Sequence, residues 1–190
     1  MPAVSPFERF GTFPRSGLYR QESEKDACGL AMVATLRGTA GHDIIDTALS
    51  ALRNLEHRGA VGSDSGTGDG AGIITQMPDR FFRSVLDFEL PTQGSYGAGL
   101  VFLEIDEDSR AFEASFSKLC EARGLTLLGT REVPTNPDSL GDLARPAMPQ
   151  IIQVFVSSAK HDNEQLEREL YFLRKSSEKS LKVYHPSLSV

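Results

Sequence analysis

Apolar residues along this chain fall into short blocks punctuated by glycine, proline and charge, and the blocks alternate between strand-like and helix-like spacing. Residues 30–35 form a compact apolar run between Gly29 and Gly38, which predicts a buried strand. Over 43–57 the positions Ile44, Ile45, Ala48, Leu49, Leu52 and Leu55 line one stripe of a helix, with Asp43 as the expected N-cap and Arg58-Gly59 as the stop. A glycine-dense loop follows over 62–72, and 72–76 reads as a strand. Residues 78–86 suit a short helix with Pro78 at its start. A strand is expected over 96–105, then a helix over 109–123 with Phe112, Phe116, Leu119 and Cys120 on its core face and Gly124 as its end. Further strands are predicted at 126–132 and 151–156, joined by a connection holding Pro134, Pro137, Pro146 and Pro149. A long polar helix over 162–181 carries Leu166, Leu170 and Leu173 as its apolar seam.

The stretch before this pattern is different. Residues 1–27 contain Pro2, Pro6 and Pro14 and close on a polar run over 21–26. They lack the apolar stretch of about 7–15 residues that a secretory signal requires, so they read as a loose leader. At the other end, residues 185–190 show no terminating element, and the domain is expected to be incomplete there. Composition narrows the partners. Lys+Arg 20 against Asp+Glu 26 gives a net charge of -6 and no basic surplus for a phosphate backbone, which disfavours nucleic acid. No apolar run approaches the roughly 18 residues of a membrane span. The two cysteines, Cys28 and Cys120, form neither a disulfide framework nor a zinc cluster, so the expected setting is a reducing cytoplasm.

Candidate chemistry is weak when each motif is read by itself. The run from Gly62 to Gly72 has no lysine for a Walker loop, and it follows a helix where a dinucleotide fingerprint would open one. A calcium loop starting at Asp64 would place Gly66 and Gly68 where oxygen ligands belong. A tight loop needing positive φ is the simpler reading. His57-Arg58-Gly59 serves equally well as a helix end, with a cation complementing the dipole. Cys120 reads as a small buried hydrophobe. Cys28 lies where the polar leader meets an apolar block, and by residue type alone it too could be structural.

Taken together, the motifs are specific. Asp26-Ala27-Cys28-Gly29, the helix ending in His57-Arg58-Gly59-Ala60, and Thr67-Gly68-Asp69-Gly70-Ala71-Gly72-Ile73 resemble the class II glutamine amidotransferase domain that opens the glutamate synthase large subunit, of the bacterial NADPH-dependent kind. One local departure is Leu30-Ala31, where the family often has valine or isoleucine and then glycine. The resemblance implies an α+β fold of the N-terminal nucleophile hydrolase type, a four-layer αββα sandwich of stacked antiparallel sheets. It implies that residues 1–27 are a propeptide and that 28–190 are the first part of the amidotransferase domain.

The chemistry implied is amide hydrolysis by Cys28 as nucleophile. The free α-amine of a mature residue Cys28 would act as base, with Arg58 as a nearby cation that lowers the thiol pKa. Gly59, Asp69 and Gly70 would contribute from their loops to the L-glutamine site. The family's oxyanion donors and main glutamine clamps fall beyond Val190, so residues 28–190 alone are expected to be inactive. FMN and an iron–sulfur cluster are expected in later domains, with FAD and NADPH on a small partner subunit and ammonia passed on to 2-oxoglutarate. Another biosynthetic amidotransferase, or a non-catalytic globular or regulatory module, stands as the alternative.

Overall fold

The computed structural model describes residues 29–36, 38–55, 64, 66–68, 70–105, 108–161, 163–181 and 188–189. Its first helix, α1, spans His42–Asn54. Its N-cap is Gly41, so Asp43 lies in the first turn, where its charge still complements the helix dipole, and does not cap it. The helix ends at Asn54 with Leu55 as C-cap, short of the expected Arg58-Gly59 stop. Its apolar stripe is only half covered, and no α1 residue is fully buried.

The elements from α2 onward follow the apolar pattern closely. Helix α2 (Asp79–Val85) precedes strand β1 (Tyr96–Leu103). Helix α3 (Ser109–Glu121) is capped by the Asp108 carboxylate, which accepts from the Arg110 amide at 3.0 Å. Past its end Gly124 takes φ +69, a conformation glycine adopts without a Cβ penalty. Strand β2 (Thr126–Glu132), strand β3 (Gln150–Ser157) and helix α4 (Asn163–Leu181) complete the body. The terminal residues also contribute. A two-residue strand β4 (Leu188–Ser189) pairs antiparallel with Ala98 and Gly99 of β1.

The four strands form one antiparallel sheet in the order β2-β3-β1-β4. Strand β3 is central, in register with β1 from Tyr96 opposite Ser157 to Leu103 opposite Gln150. Strand alternation divides the side chains between two faces. On one face Val101, Leu103, Ile152, Val154 and Val156 pack with Phe112, Phe116 and Cys120 of α3 and Leu166, Leu170 and Leu173 of α4. On the other, Tyr96 and Phe155 meet Phe82 and Leu90. Phe155 meets the Phe82 ring edge-on at 5.0 Å and the Phe88 ring at 5.6 Å.

A polar network fixes α2 to the sheet. Arg83 grips both carboxylate oxygens of Asp79 at 2.9 and 3.0 Å, and the Tyr96 hydroxyl donates to Asp79 Oδ1 at 2.9 Å. Arg83 also donates to the carbonyl oxygens of Leu90 and Pro91, which closes the segment on itself.

The second expected sheet is not formed among the described residues. Residues 30–35 and 72–76 are not strands, and Leu30, Met32, Leu36 and Ile74 are almost wholly exposed. Strands β1 and β3 are covered unequally on their two faces. Their helix-facing side chains are buried, while Leu100, Phe102 and Ile151 on the opposite face are half-buried. Among the described residues the structure shows one helix-covered antiparallel sheet and not the expected stacked four-layer arrangement.

The Asp79 network sets an acid limb of stability. The Arg83 guanidinium, then the Tyr96 hydroxyl, hold the Asp79 carboxyl below its ordinary value of 3.8, against an opposing push from desolvation. A depressed carboxyl stabilises the fold above its unfolded pKa and loses that contribution as pH falls through the folded one. Denaturation midpoints should decline below pH 3.8, and the decline should flatten in Asp79→Asn. Parallel acid limbs in the two proteins would remove Asp79 from this role.

Candidate active site

The residues nominated by sequence fall in three places along the chain. Cys28, Arg58, Gly59 and Asp69 themselves lie outside the described residues, whereas Gly70 is within them. What the fold does fix is the approach between two of these places. Gly29, which follows Cys28, lies so close to the last turn of α1 that an added Cβ would stand 3.0 Å from Leu55 Cδ2. Leu55 is held there by its amide, which donates to the Ala51 and Leu52 carbonyl oxygens at 3.1 Å each. Gly29, the residue after Cys28, is thus brought against the helix end that leads, three residues on, to Arg58. Glycine after the cysteine is the residue type this contact tolerates.

The glycine-rich loop is held by a device that residue type alone did not indicate. Both Asp64 carboxylate oxygens accept hydrogen bonds, Oδ1 from the Gly66 amide at 3.1 Å and Oδ2 from the Thr67 hydroxyl at 3.0 Å. Oδ2 also accepts from the Leu143 amide at 3.0 Å, across 79 positions of sequence. The Gly141 amide donates to the Gly66 carbonyl oxygen at 2.9 Å, completing a two-way clasp between the loop and the proline-punctuated connection. These donors hold the Asp64 carboxyl below its usual range, the Leu143 amide first and the Thr67 hydroxyl next. Backbone approach explains the glycines here. A Cβ on Gly66 would meet Gly141 N at 2.7 Å, and one on Gly141 would collide with Asp64 Oδ1.

The expected reason for the glycine density is corrected accordingly. Gly66, Gly70 and Gly72 do not take the left-handed φ that a tight-turn reading requires. A Cβ on Gly70 or Gly72 would meet nothing within 4 Å among the described residues. Asp64 entered the sequence reading only as the first position of a calcium loop that failed. The Asp-x-Gly-Thr spacing is a local Asx-turn signal, but Leu143 could not be found from it.

Cys120, the other thiol, is fully buried in the α3 core. Desolvation chiefly, and then the neighbouring Glu121 charge, push its pKa up to about 12, so it is a packing residue without thiolate character at neutral pH. The described residues contain no group of three or more His, Cys, Asp or Glu placed to hold a metal ion. Nor do they contain a helix long and apolar enough to cross a membrane.

Residues 28–190 match the family of class-II glutamine amidotransferases. The chain is 43% identical over 182 residues to the glutamate synthase [NADPH] large chain of Bacillus subtilis, covering 91% of this chain and 12% of that one. It is 40% identical over 169 residues to ferredoxin-dependent glutamate synthase 1 of Arabidopsis thaliana, covering 84% of this chain and 10% of that protein. With the glutamate synthase [NADH] of Schizosaccharomyces pombe it shares 36% identity over 179 residues, 88% of this chain and 8% of that protein. The chain therefore spans about a tenth of the length of these relatives.

Thiol accessibility follows from the burial of Cys120. Iodoacetamide at pH 8 should leave Cys120 unmodified in the native protein and alkylate it after denaturation, as read by peptide mass. Native-state modification of Cys120 would contradict its place in the core.

Proposed function

We propose that this chain, which belongs to the class-II glutamine amidotransferases, is the glutamine-hydrolysing part of a glutamate synthase, releasing ammonia for glutamate formation from 2-oxoglutarate. The observation that carries the reading is the breadth of the similarity. Relatives named for NADPH, ferredoxin and NADH all match over 84% or more of this chain. A segment shared across three electron donors belongs with the step that is common to them, namely amide hydrolysis. The electron donor is set elsewhere in such an enzyme. We propose NADPH as the parent enzyme's donor only through kinship, since this chain shares 43% identity with the bacterial NADPH-dependent large chain.

The proposed nucleophile is Cys28, the first residue of the matched region. Its thiolate attacks the glutamine carboxamide carbon; a C–S bond forms, the C–N bond breaks and ammonia leaves, and water then cleaves the thioester to glutamate. A free α-amine titrates at about 7.7–8.0, so at neutral pH an appreciable fraction can take the thiol proton and pass it to the departing nitrogen. An acylated nitrogen cannot, so removal of residues 1–27 is part of the proposal. Arg58 is assigned as the cation that favours the thiolate, and Gly59, Asp69 and Gly70 as contributors to the glutamine site. The contact of Gly29 with Leu55 supports the pairing of the Cys28 and Arg58 segments. The exposed runs containing Leu30, Met32 and Ile74 are proposed to become strands of a second sheet in the complete domain.

An iron–sulfur cluster does not fit these residues. An iron–sulfur cluster needs about four ligands, most often cysteines, and of this chain's two cysteines one is buried in the core. The cluster is therefore assigned to another part of the assembly, and on the family resemblance FMN and the FAD- and NADPH-handling small subunit are proposed to lie there too, in the cytoplasm. Residues 28–190 alone, which by family resemblance lack the oxyanion donors, are proposed to be inactive; loss of one such donor typically costs about 10²–10³ in rate.

The test is Cys28→Ala in the whole enzyme. Glutamine-dependent glutamate formation should vanish while ammonia-dependent formation persists. Cys120→Ala should keep both activities and lose about 1–2 kcal/mol of stability. Retained glutamine use in Cys28→Ala would overturn the nucleophile assignment.

A further inference from the structure

We propose that Asp64 is a positioning residue for glutamine hydrolysis, clasping the glycine-rich loop to the Gly141–Leu143 turn; the inference rests on the function proposed above. A loop rich in glycine has many backbone states in reach, and a substrate wall made from it is useful only if those states are reduced to one. The loop that leads to Gly70 begins immediately after a carboxylate with three donors on it. Two of those donors, Gly66 and Thr67, shape the loop locally. The third, the Leu143 amide, ties it to a connection distant in sequence but fixed at both ends, since β2 and β3 flank it.

That connection is itself stiff. It carries two single turns of 3₁₀ helix, Pro137–Ser139 and Arg145–Ala147, each with proline in its first positions. Between them the Gly141 carbonyl oxygen accepts from the Ala144 and Arg145 amides at 3.1 and 3.0 Å, so the Leu143 amide is presented from a closed turn. The clasp therefore transmits the rigidity of the central sheet to the glycine loop. Its geometry leaves room for no side chain at Gly141, because a Cβ there would also stand 2.5 Å from the Thr67 hydroxyl and 2.7 Å from the Gly66 carbonyl carbon. Asp64 needs two acceptor oxygens to serve three donors. Asparagine has one, and its amide group would face either the Gly66 or the Leu143 amide with donor against donor.

The experiment compares Asp64→Asn and Gly141→Ala with the unmodified whole enzyme, alongside Cys28→Ala. Misplacement of a substrate wall by about 1 Å can cost on the order of 10²-fold. The expected result is a loss of tenfold or more in kcat/KM for glutamine in both variants, with ammonia-dependent glutamate formation within about twofold of the unmodified rate. Equal loss of the two activities would assign the clasp to general stability and overturn the proposal, as would glutamine kcat/KM within twofold of normal. If Asp64→Asn does not fold, Thr67→Val removes a single strap and is judged by the same ratio. Glutamine use that survives Cys28→Ala would instead remove the underlying reading, so the two failures are separable.

Discussion

Strand β3 is the constraint on which the rest depends. It pairs with β1 along its full length and with β2 across a bulge, so its backbone groups are satisfied only if both neighbours are in place. Its side chains serve two layers at once. Ile152, Val154 and Val156 close the core under α3 and α4, and Phe155 alone anchors the aromatic cluster on the other face. A register slip of one residue would exchange these sets and place Phe155 under the helices. The double commitment explains why this strand holds the most deeply buried run among the described residues, Val154-Phe155-Val156.

The segments that carry the proposed function are attached to this frame at its margins. The connection that enters β3 carries Gly141 and Leu143, which clasp the glycine loop, while Gly29 and Leu55 meet at the end of α1. Neither contact belongs to the two hydrophobic clusters. The arrangement separates the tasks: a core sheet supplies rigidity, and short polar or backbone-close contacts distribute it to loops rich in glycine. A glycine-rich loop built this way can stay free of bulky side chains without losing definition.

Much of the frame was legible in the sequence. Residues 126–132 were read to the residue, and Leu166, Leu170 and Leu173 are buried as the seam they were expected to form. These succeed because their partners are other well-patterned elements within the described residues. Residues 30–35 and 72–76 have the same apolar signature yet form no strand, because a strand exists only with a hydrogen-bonding neighbour and pattern cannot supply one. Asp43 reads as a cap from residue type, but the backbone enters α1 two residues earlier at Gly41. The residues that the combined motifs nominate, Cys28 and Arg58, lie outside the described residues, so only their neighbours Gly29 and Leu55 are seen. Asp64 escaped because its deciding partner is 79 positions away.

The central claim is that Cys28 acts as both nucleophile and amino-terminal base, which requires a chain that begins at that residue. Intact-mass analysis of the active whole enzyme, with labelling of its α-amine, measures this directly. The account predicts a mass lacking residues 1–27 and an α-amine on Cys28. An active enzyme that retains those residues would contradict it, because the nitrogen of Cys28 would then be an amide and no longer a base.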